Sequence, residues 1–356
     1  MREVRAKKAL GQHFLVDLNI ARKICDALSG GVRPEAGAET RAVAAGSADA
    51  DAETRTRVAG YAGAGAEART MAAGSADAGA EARTKATGTA DADAETRRGV
   101  AASADARLAA DTTAAGAPAA AEEERGGAVP CDVLEVGCGM GVLTQFLLRR
   151  GDITTYGAEI DPESVEYLHA HFPEFAPRLI EGDFLKMNLR ERFPRGLKII
   201  GNFPYNISSQ IFFKVLEHRD LVPECVGMIQ KEVAVRIAEP PGSKEYGILS
   251  VLLQAWYDIE YLFTVNETVF NPPPKVKSAV IRLRRNSVGR LGCDEALFVK
   301  VVKASFGQRR KMIRNSLRTV FGDFGGAEHP FFTQRAEQLS VADFVQLTNW
   351  VAANRK

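Results

Sequence analysis

No run of this 356-residue chain approaches the ~18 consecutive apolar residues that a membrane-spanning helix requires. The first residues, Met1 to Lys8, lack the apolar core of a secretory signal, so neither export nor membrane residence is expected. The cysteines (Cys25, Cys131, Cys138, Cys225 and Cys293) are scattered and odd in number, with no Cys-x-x-Cys pair. A disulfide framework and a zinc site are therefore unsupported, no metal ligand is assigned, and a reducing, cytoplasmic setting is expected. Nor is there a Cys or His nucleophile signature. One long stretch lacks even the means to fold: residues 36–127 hold a single aromatic, Tyr61, and almost no large aliphatics.

That stretch has a period. Ala-Glu-Thr/Ala-Arg begins at residues 38, 52, 66, 80 and 94, a spacing of 14. Alanine favours helix, but Gly46, Gly60, Gly74 and Gly88 interrupt each unit. With no apolar face to stack, the repeat is not a solenoid and cannot offset its ordering entropy. We read 36–127 as a low-complexity insertion. The chain then divides into a basic arm and first helix (1–35), the insertion, an α/β domain (128–284) and a helical domain (285–356).

Charge is unevenly spread. The insertion carries 10 basic and 15 acidic residues, whereas residues 275–318 carry 13 basic and 2 acidic. Such a local field suits a polyanion.

From residue 131 strand-like and helix-like runs alternate. Strands are expected at 132–136, 154–159, 178–181, 197–201, 225–230, 257–263 and 278–284, the last two as an antiparallel edge pair. Helices are expected at 142–150, 162–171, 208–217, 231–238 and 246–255, and three more after 285, at 294–306, 309–320 and 341–352. The pattern is an α/β, Rossmann-like sheet with a small all-helical domain behind it.

The stretch from Val133 to Thr144 (VLEVGCGMGVLT) is a strand running into glycines at alternate positions: Gly137, Gly139 and Gly141. Gly-x-Gly-x-Gly departs from the dinucleotide spacing and suits the looser loop of S-adenosylmethionine enzymes. Glu159, ending the next strand-like run, stands where a carboxylate accepts from ribose hydroxyls. Asp183, ending a third, can meet an adenine amino group.

Asn202-Phe203-Pro204-Tyr205 follows another strand and faces the same crevice. The Asn202 side-chain oxygen and a carbonyl near Pro204 can accept both protons of an exocyclic amine. Tyr205 offers a face for a flipped base. Ser208 reads as the next helix's N-cap. Phe270, before Pro272-Pro273-Pro274, can cover the base's other face, with Lys275 and Lys277 on phosphate. Arg309, Arg310, Lys311 and Arg314 read as a helical RNA-backbone contact.

Five ordered segments together resemble one family, the ribosomal RNA adenine dimethyltransferases. They are Lys7–Leu15 (KKALGQHFL), Leu134–Thr144, Asn202–Ser208, Pro272–Ser278 and Phe306–Lys311. The resemblance covers residues 1–30 and 128–356. It implies a class I methyltransferase fold and S-adenosylmethionine-dependent dimethylation of N6 on two adjacent adenosines near the 3′ end of 16S rRNA, within the small ribosomal subunit, late in its biogenesis. It implies that His13, Leu15, Gly137, Gly139, Glu159, Asp183 and Asn202 line the cofactor site, that Tyr205 and Phe270 sandwich the base, and that the enzyme is a monomer. His13 stands where bacterial relatives commonly carry asparagine. Two alternatives stay open: a 23S rRNA adenine methylase of the macrolide-resistance type, and a non-catalytic assembly or transcription-factor module.

Overall fold

The computed structural model describes residues 4, 6, 7, 10–30 and 130–355. The insertion drawn at 36–127 lies outside the described residues. The chain enters with β1 (Phe14–Leu15) and α1 (Leu18–Ala27). From residue 131 it alternates: β2 (Cys131–Val136), α2 (Thr144–Leu147), β3 (Ile153–Glu159), α3 (Pro162–His171), β4 (Leu179–Glu181), α4 (Leu189–Arg192), β5 (Lys198–Asn202), α5 (Ser208–Glu217), β6 (Glu224–Gln230), α6 (Lys231–Ala238) and α7 (Ile248–Gln254). Then come β7 (Tyr257–Val265), β8 (Phe270–Asn271), β9 (Ser278–Arg285), α8 (Glu295–Gly307), α9 (Ile313–Phe321) and α10 (Val341–Asn354).

Seven strands form one sheet in the order β4-β3-β2-β5-β6-β9-β7, parallel from β4 to β6 and antiparallel at β9 and β7. The expected pairing of the two late strands holds, with β9 inserted between β6 and β7. The order reverses between β2 and β5, so a crevice opens at their carboxyl ends. Gly137, Glu159, Asp183 and Asn202 all fall at strand ends on this edge. A separate two-stranded pair, β1 with β8, brings Leu15 opposite Phe270.

Strand periodicity sends neighbouring side chains to opposite faces. Leu134, Ile199 and Cys225 join one apolar cluster, while Val133, Ile200 and Val226 join the other. With both faces covered, the central strands read as nearly continuous apolar runs. α1 packs on the second cluster through Ala21, Ile24 and Cys25. The first cluster runs on past residue 285 into Phe298, Leu317 and Phe344, with Trp256 meeting Phe298 edge-on at 6.0 Å.

Two helices differ from expectation. The glycine loop leads into only one helical turn, α2, rather than a helix over 142–150. α9 begins at Ile313, and Gln308–Lys311 form a turn closed by Lys311 N–H on the Gln308 carbonyl at 2.7 Å. Three successive cations at a helix N-terminus would oppose its dipole.

The carboxyl end of α1 has no basic residue in its own last turn. Its free carbonyls are met by cations from elsewhere in the fold. Arg150 donates to the Cys25 and Leu28 carbonyls at 3.1 and 2.9 Å, and Arg282 to that of Ala27 at 3.0 Å. Lys198 donates to the Ser29 carbonyl at 2.9 Å and forms a buried ion pair with Glu224 at 3.0 Å. Burial alone would raise the Glu224 carboxyl. Hydrogen bonds from Ser29 and Lys198 outweigh it and hold the group below its usual value.

Lys198→Met leaves the Glu224 carboxylate, 2 % exposed, with the Ser29 hydrogen bonds and Arg284 at 3.6 Å as its cationic partner. Loss of one partner of a buried pair costs about 3 kcal/mol, which urea denaturation at pH 7 will read. Because the Glu224 value is depressed, the gap between wild type and variant is full above the usual carboxylate range and closes as pH falls through it.

Candidate active site

At the crevice lies a cavity of about 210 Å³, walled by the arm around His13, the glycine loop, the ends of β3 and β4, and the turn after β5. The glycine loop sits close to other parts of the chain. A Cβ on Gly141 would fall 2.4 Å from the Phe172 ring, and one on Gly139 3.1 Å from that of Phe14, each at positive φ. No L side chain other than glycine fits there without strain.

Glu159 holds this loop. One of its carboxylate oxygens accepts from Gly139 N–H at 2.8 Å, and the other accepts from Ile160 and Asp161 N–H at 2.9 Å each. Burial raises its pKa against those three donors. Three of the four lone-pair sites are thus taken, and the oxygen on Gly139 retains one for a hydroxyl donor from the cavity. Asp183 takes a similar double part: one oxygen caps the turn at Leu185 N–H, 2.9 Å away, while its residue lines the cavity.

A third carboxyl group, one the sequence reading passed over, lines the same cavity. Glu135, the penultimate residue of β2, is fully buried and accepts from the Thr144 hydroxyl at 2.6 Å. Burial, with the charge of Glu159 adding to it, pushes this carboxyl up to about 8 against the Thr144 hydrogen bond. The available signal was an acid flanked by Leu134 and Val136 in a strand whose every residue is buried.

The amino-terminal arm closes the crevice. Lys7 pairs with Asp161, and Gln12 donates to the same carboxylate at 3.2 Å. Burial would raise Asp161, but Lys7, Gln12 and Ser164 hold it low. His13 Nδ1 is 2.9 Å from the Pro272 carbonyl, an acceptor only, so Nδ1 carries a hydrogen. The His13 carbonyl accepts from Asn202 Nδ2 at 2.9 Å. That bond orients the Asn202 amide and leaves its Oδ1 as an acceptor unengaged among the described residues.

Phe203 anchors the turn after β5. Gly201 and Gly227 face each other across β5 and β6, and the Phe203 ring lies on both. A Cβ would stand 2.9 Å from the ring at Gly201 and 2.5 Å at Gly227. Beyond this plug, the Pro204 carbonyl accepts from Ile207 N–H at 3.1 Å, and the Tyr205 hydroxyl meets Ser278 Oγ at 2.5 Å. The Tyr205 and His13 rings lie 5.4 Å apart, tilted by 32°. Ser208 is the first residue of α5 rather than its N-cap, and its hydroxyl donates back to the Tyr205 carbonyl at 3.2 Å.

The cavity thus gathers His13, Leu15, Gly137, Gly139, Glu159, Asp183, Asn202, Pro204 and Tyr205. Phe270 is not among its walls. It is 4 % exposed and packs with Leu15, Val265 and Val280 in the second cluster. The β1–β8 pairing sets it opposite Leu15.

Lys275 and Lys277 are exposed on the loop before β9. The cations expected on RNA are partly answered within the chain. Arg314 pairs with Glu328, Arg318 with Asp323 at 3.1 Å, and Arg309 with Glu337 at 3.8 Å. These acids lie beyond the basic stretch in sequence and fold back onto it. Arg310 and Lys311 stay exposed on the turn.

Since Glu135 binds a proton more tightly folded than unfolded, wild-type stability falls as pH rises from about 4.5 to about 8. Glu135→Gln, which still accepts from Thr144, removes that slope; melting temperatures of the ligand-free protein across this range will show a flatter profile for the variant. Gly227→Ala forces the Phe203 ring out of its socket at a cost of about 1–3 kcal/mol, and adding Phe203→Leu restores part of it in a denaturant double-mutant cycle.

Among known proteins, a ribosomal RNA small subunit methyltransferase A of Parabacteroides distasonis is 61 % identical over 218 residues, covering 61 % of this chain and 81 % of that protein. One from Porphyromonas gingivalis is 59 % identical over 220 residues, covering 61 % and 84 %. Among solved structures, a dimethyladenosine transferase from Plasmodium falciparum aligns with a TM-score of 0.52 at 26 % identity, over 63 % of this chain and 90 % of that one. The family model described as ribosomal RNA adenine dimethylase matches residues 130–353. A match of that length takes in both the strand-end crevice and the helices behind it, and the chain belongs to the ribosomal RNA adenine dimethylase family.

Proposed function

We propose that this protein dimethylates N6 of two adjacent adenosines in the loop of the 3′-terminal hairpin of 16S rRNA, within the small ribosomal subunit, during late subunit biogenesis. The observation that carries the reading is the unengaged Asn202 Oδ1. Asn202 lines one cavity with Tyr205 and the glycine loop, in a chain about 60 % identical to proteins named for small-subunit rRNA methylation. No described helix is long and apolar enough to cross a membrane. The enzyme acts as a cytoplasmic monomer.

The cofactor is S-adenosylmethionine, which supplies an electrophilic methyl group when bound. The cavity fits it. The glycine loop admits close approach of a ligand, Glu159 keeps one lone pair for a ribose hydroxyl, and Asp183 keeps acceptor capacity for an adenine amine. Glu135, protonated or ionised around neutral pH, faces the same space.

The target is held by other groups. Asn202 Oδ1 and the backbone at Pro204 accept the two N6 protons, which turns the nitrogen lone pair out of the purine plane. Tyr205 presents a ring face to the flipped base. Burial raises the Tyr205 hydroxyl, so it stays protonated, tied to Ser278. Alignment supplies most of the rate. The proton that N6 sheds goes to water.

The test is methyl transfer from labelled S-adenosylmethionine to unmethylated small subunits, mapped by nucleotide, with the full chain and with one lacking residues 36–127. Two dimethylated adenosines near the 3′ end of 16S rRNA are expected from both. Transfer to 23S rRNA instead, or none to either RNA, overturns the reading. In the same assay Asn202→Ala loses transfer by about 10²-fold or more, by analogy with deleting one oriented polar group at a reacting atom. Cofactor and subunit affinity persist, and undiminished turnover removes Asn202 from the chemistry.

A further inference from the structure

Behind the glycine loop lies a second, open depression of about 560 Å³. Leu15, Met140 and Val142 line both it and the catalytic cavity, so the two share one wall. Its outer side is aromatic and basic: the Tyr167 and His171 rings stack at 3.8 Å, and Arg149 stands beside them. Val16, half-exposed, forms part of the rim, and Leu18 is equally exposed at the start of α1.

Two arginines from distant parts of the chain converge here. The guanidinium carbons of Arg22, on α1, and Arg149, just after α2, lie 5.4 and 5.8 Å from the centroid of one ring, Phe146. Both arginines are exposed. Neither makes an ion pair among the described residues, Asp26, one turn along α1 from Arg22, included. Arg150, Arg190, Arg236, Arg282 and Arg318, by contrast, each have a carboxylate partner. The ring's π-face attracts both cations, but their mutual repulsion stays uncompensated until an anion arrives.

We propose that this face is a second RNA contact: Arg22 and Arg149 bind phosphates of the single strand flanking the target nucleotide, and the aromatic depression takes an unpaired base from it. The proposal rests on the reading of the protein as an rRNA methylase. If one base is drawn out of an RNA loop into the catalytic cavity, its neighbours lie within a nucleotide or two of the shared wall. Guanidinium groups and flat aromatic faces over an apolar floor are what unpaired nucleotides bind. A protein partner would need a larger apolar face with fewer cations at its centre.

The double variant Arg22→Gln/Arg149→Gln and each single variant test this. Both positions are exposed and outside the catalytic cavity, so the melting temperature and S-adenosylmethionine affinity should match wild type. Affinity is measured against a 3′-terminal 16S hairpin fragment and against unmethylated small subunits, over a range of salt. The expected result is weaker binding to both, with a log–log salt slope shallower by about 1.4 in the double variant, two contacts at about 0.7 each for single-stranded nucleic acid. Each single variant should lose about half of that. An unchanged slope with wild-type binding intact overturns the proposal alone. Loss of affinity for subunits but not for the RNA fragment overturns the assignment to RNA and points to a subunit protein. Failure of wild type to bind either RNA or subunit overturns the underlying reading as well.

Discussion

The Phe203 ring, seated on two facing glycines, is the contact on which the site depends. β5 and β6 approach a large aromatic only because Gly201 and Gly227 have no side chain there. The plug fixes the end of β5, and the polar groups and the tyrosine proposed to hold the target lie within two residues on either side. Asn202 precedes it, and Pro204 and Tyr205 follow. A turn of this kind on the open edge of a sheet would otherwise be free to swing. The fold spends a buried phenylalanine to hold polar groups still, which is how a scaffold pre-organises chemistry that depends on alignment.

The amino-terminal arm is the second constraint, and it acts over long chain separations. Lys7 and Gln12 hold Asp161 at the end of β3, His13 bridges Asn202 and the Pro272 carbonyl, and Leu15 pairs with Phe270. Cations then finish α1 from outside: Arg150, Lys198 and Arg282 satisfy carbonyls that the helix cannot. The residues just before the insertion are therefore anchored by side chains that follow it. These anchors join the end of α1 to the α2–β3 connection, to β5 and to β9 across the segment that separates α1 from β2 in the chain.

Electrostatics shows where one-dimensional reading stops. Counting charge over 275–318 marked a strong basic stretch. Folding brought Asp323, Glu328 and Glu337 back onto three of its arginines. A window along the chain cannot contain acids that arrive from outside it. The same limit applies to Arg22 and Arg149, separated by the whole insertion and brought to one ring. Phe270 too is set by a long-range contact, a two-residue strand pairing with the arm, and is buried there.

The sequence by itself determined the order of strands and helices, because buried parallel strands need apolar runs and surface helices need periodic ones. It also determined the strand-end positions of Gly137, Glu159, Asp183 and Asn202, because a parallel sheet puts its strand ends on one edge. Tertiary structure alone decided which groups those residues meet. It set Glu159 on the glycine loop's amides, buried Glu135 deeply enough to shift its proton, freed one end of the Asn202 amide by engaging the other, and placed Phe270 in the core. Each of these depends on distance and dielectric between residues far apart in the chain, and neither quantity is written in the order of the amino acids.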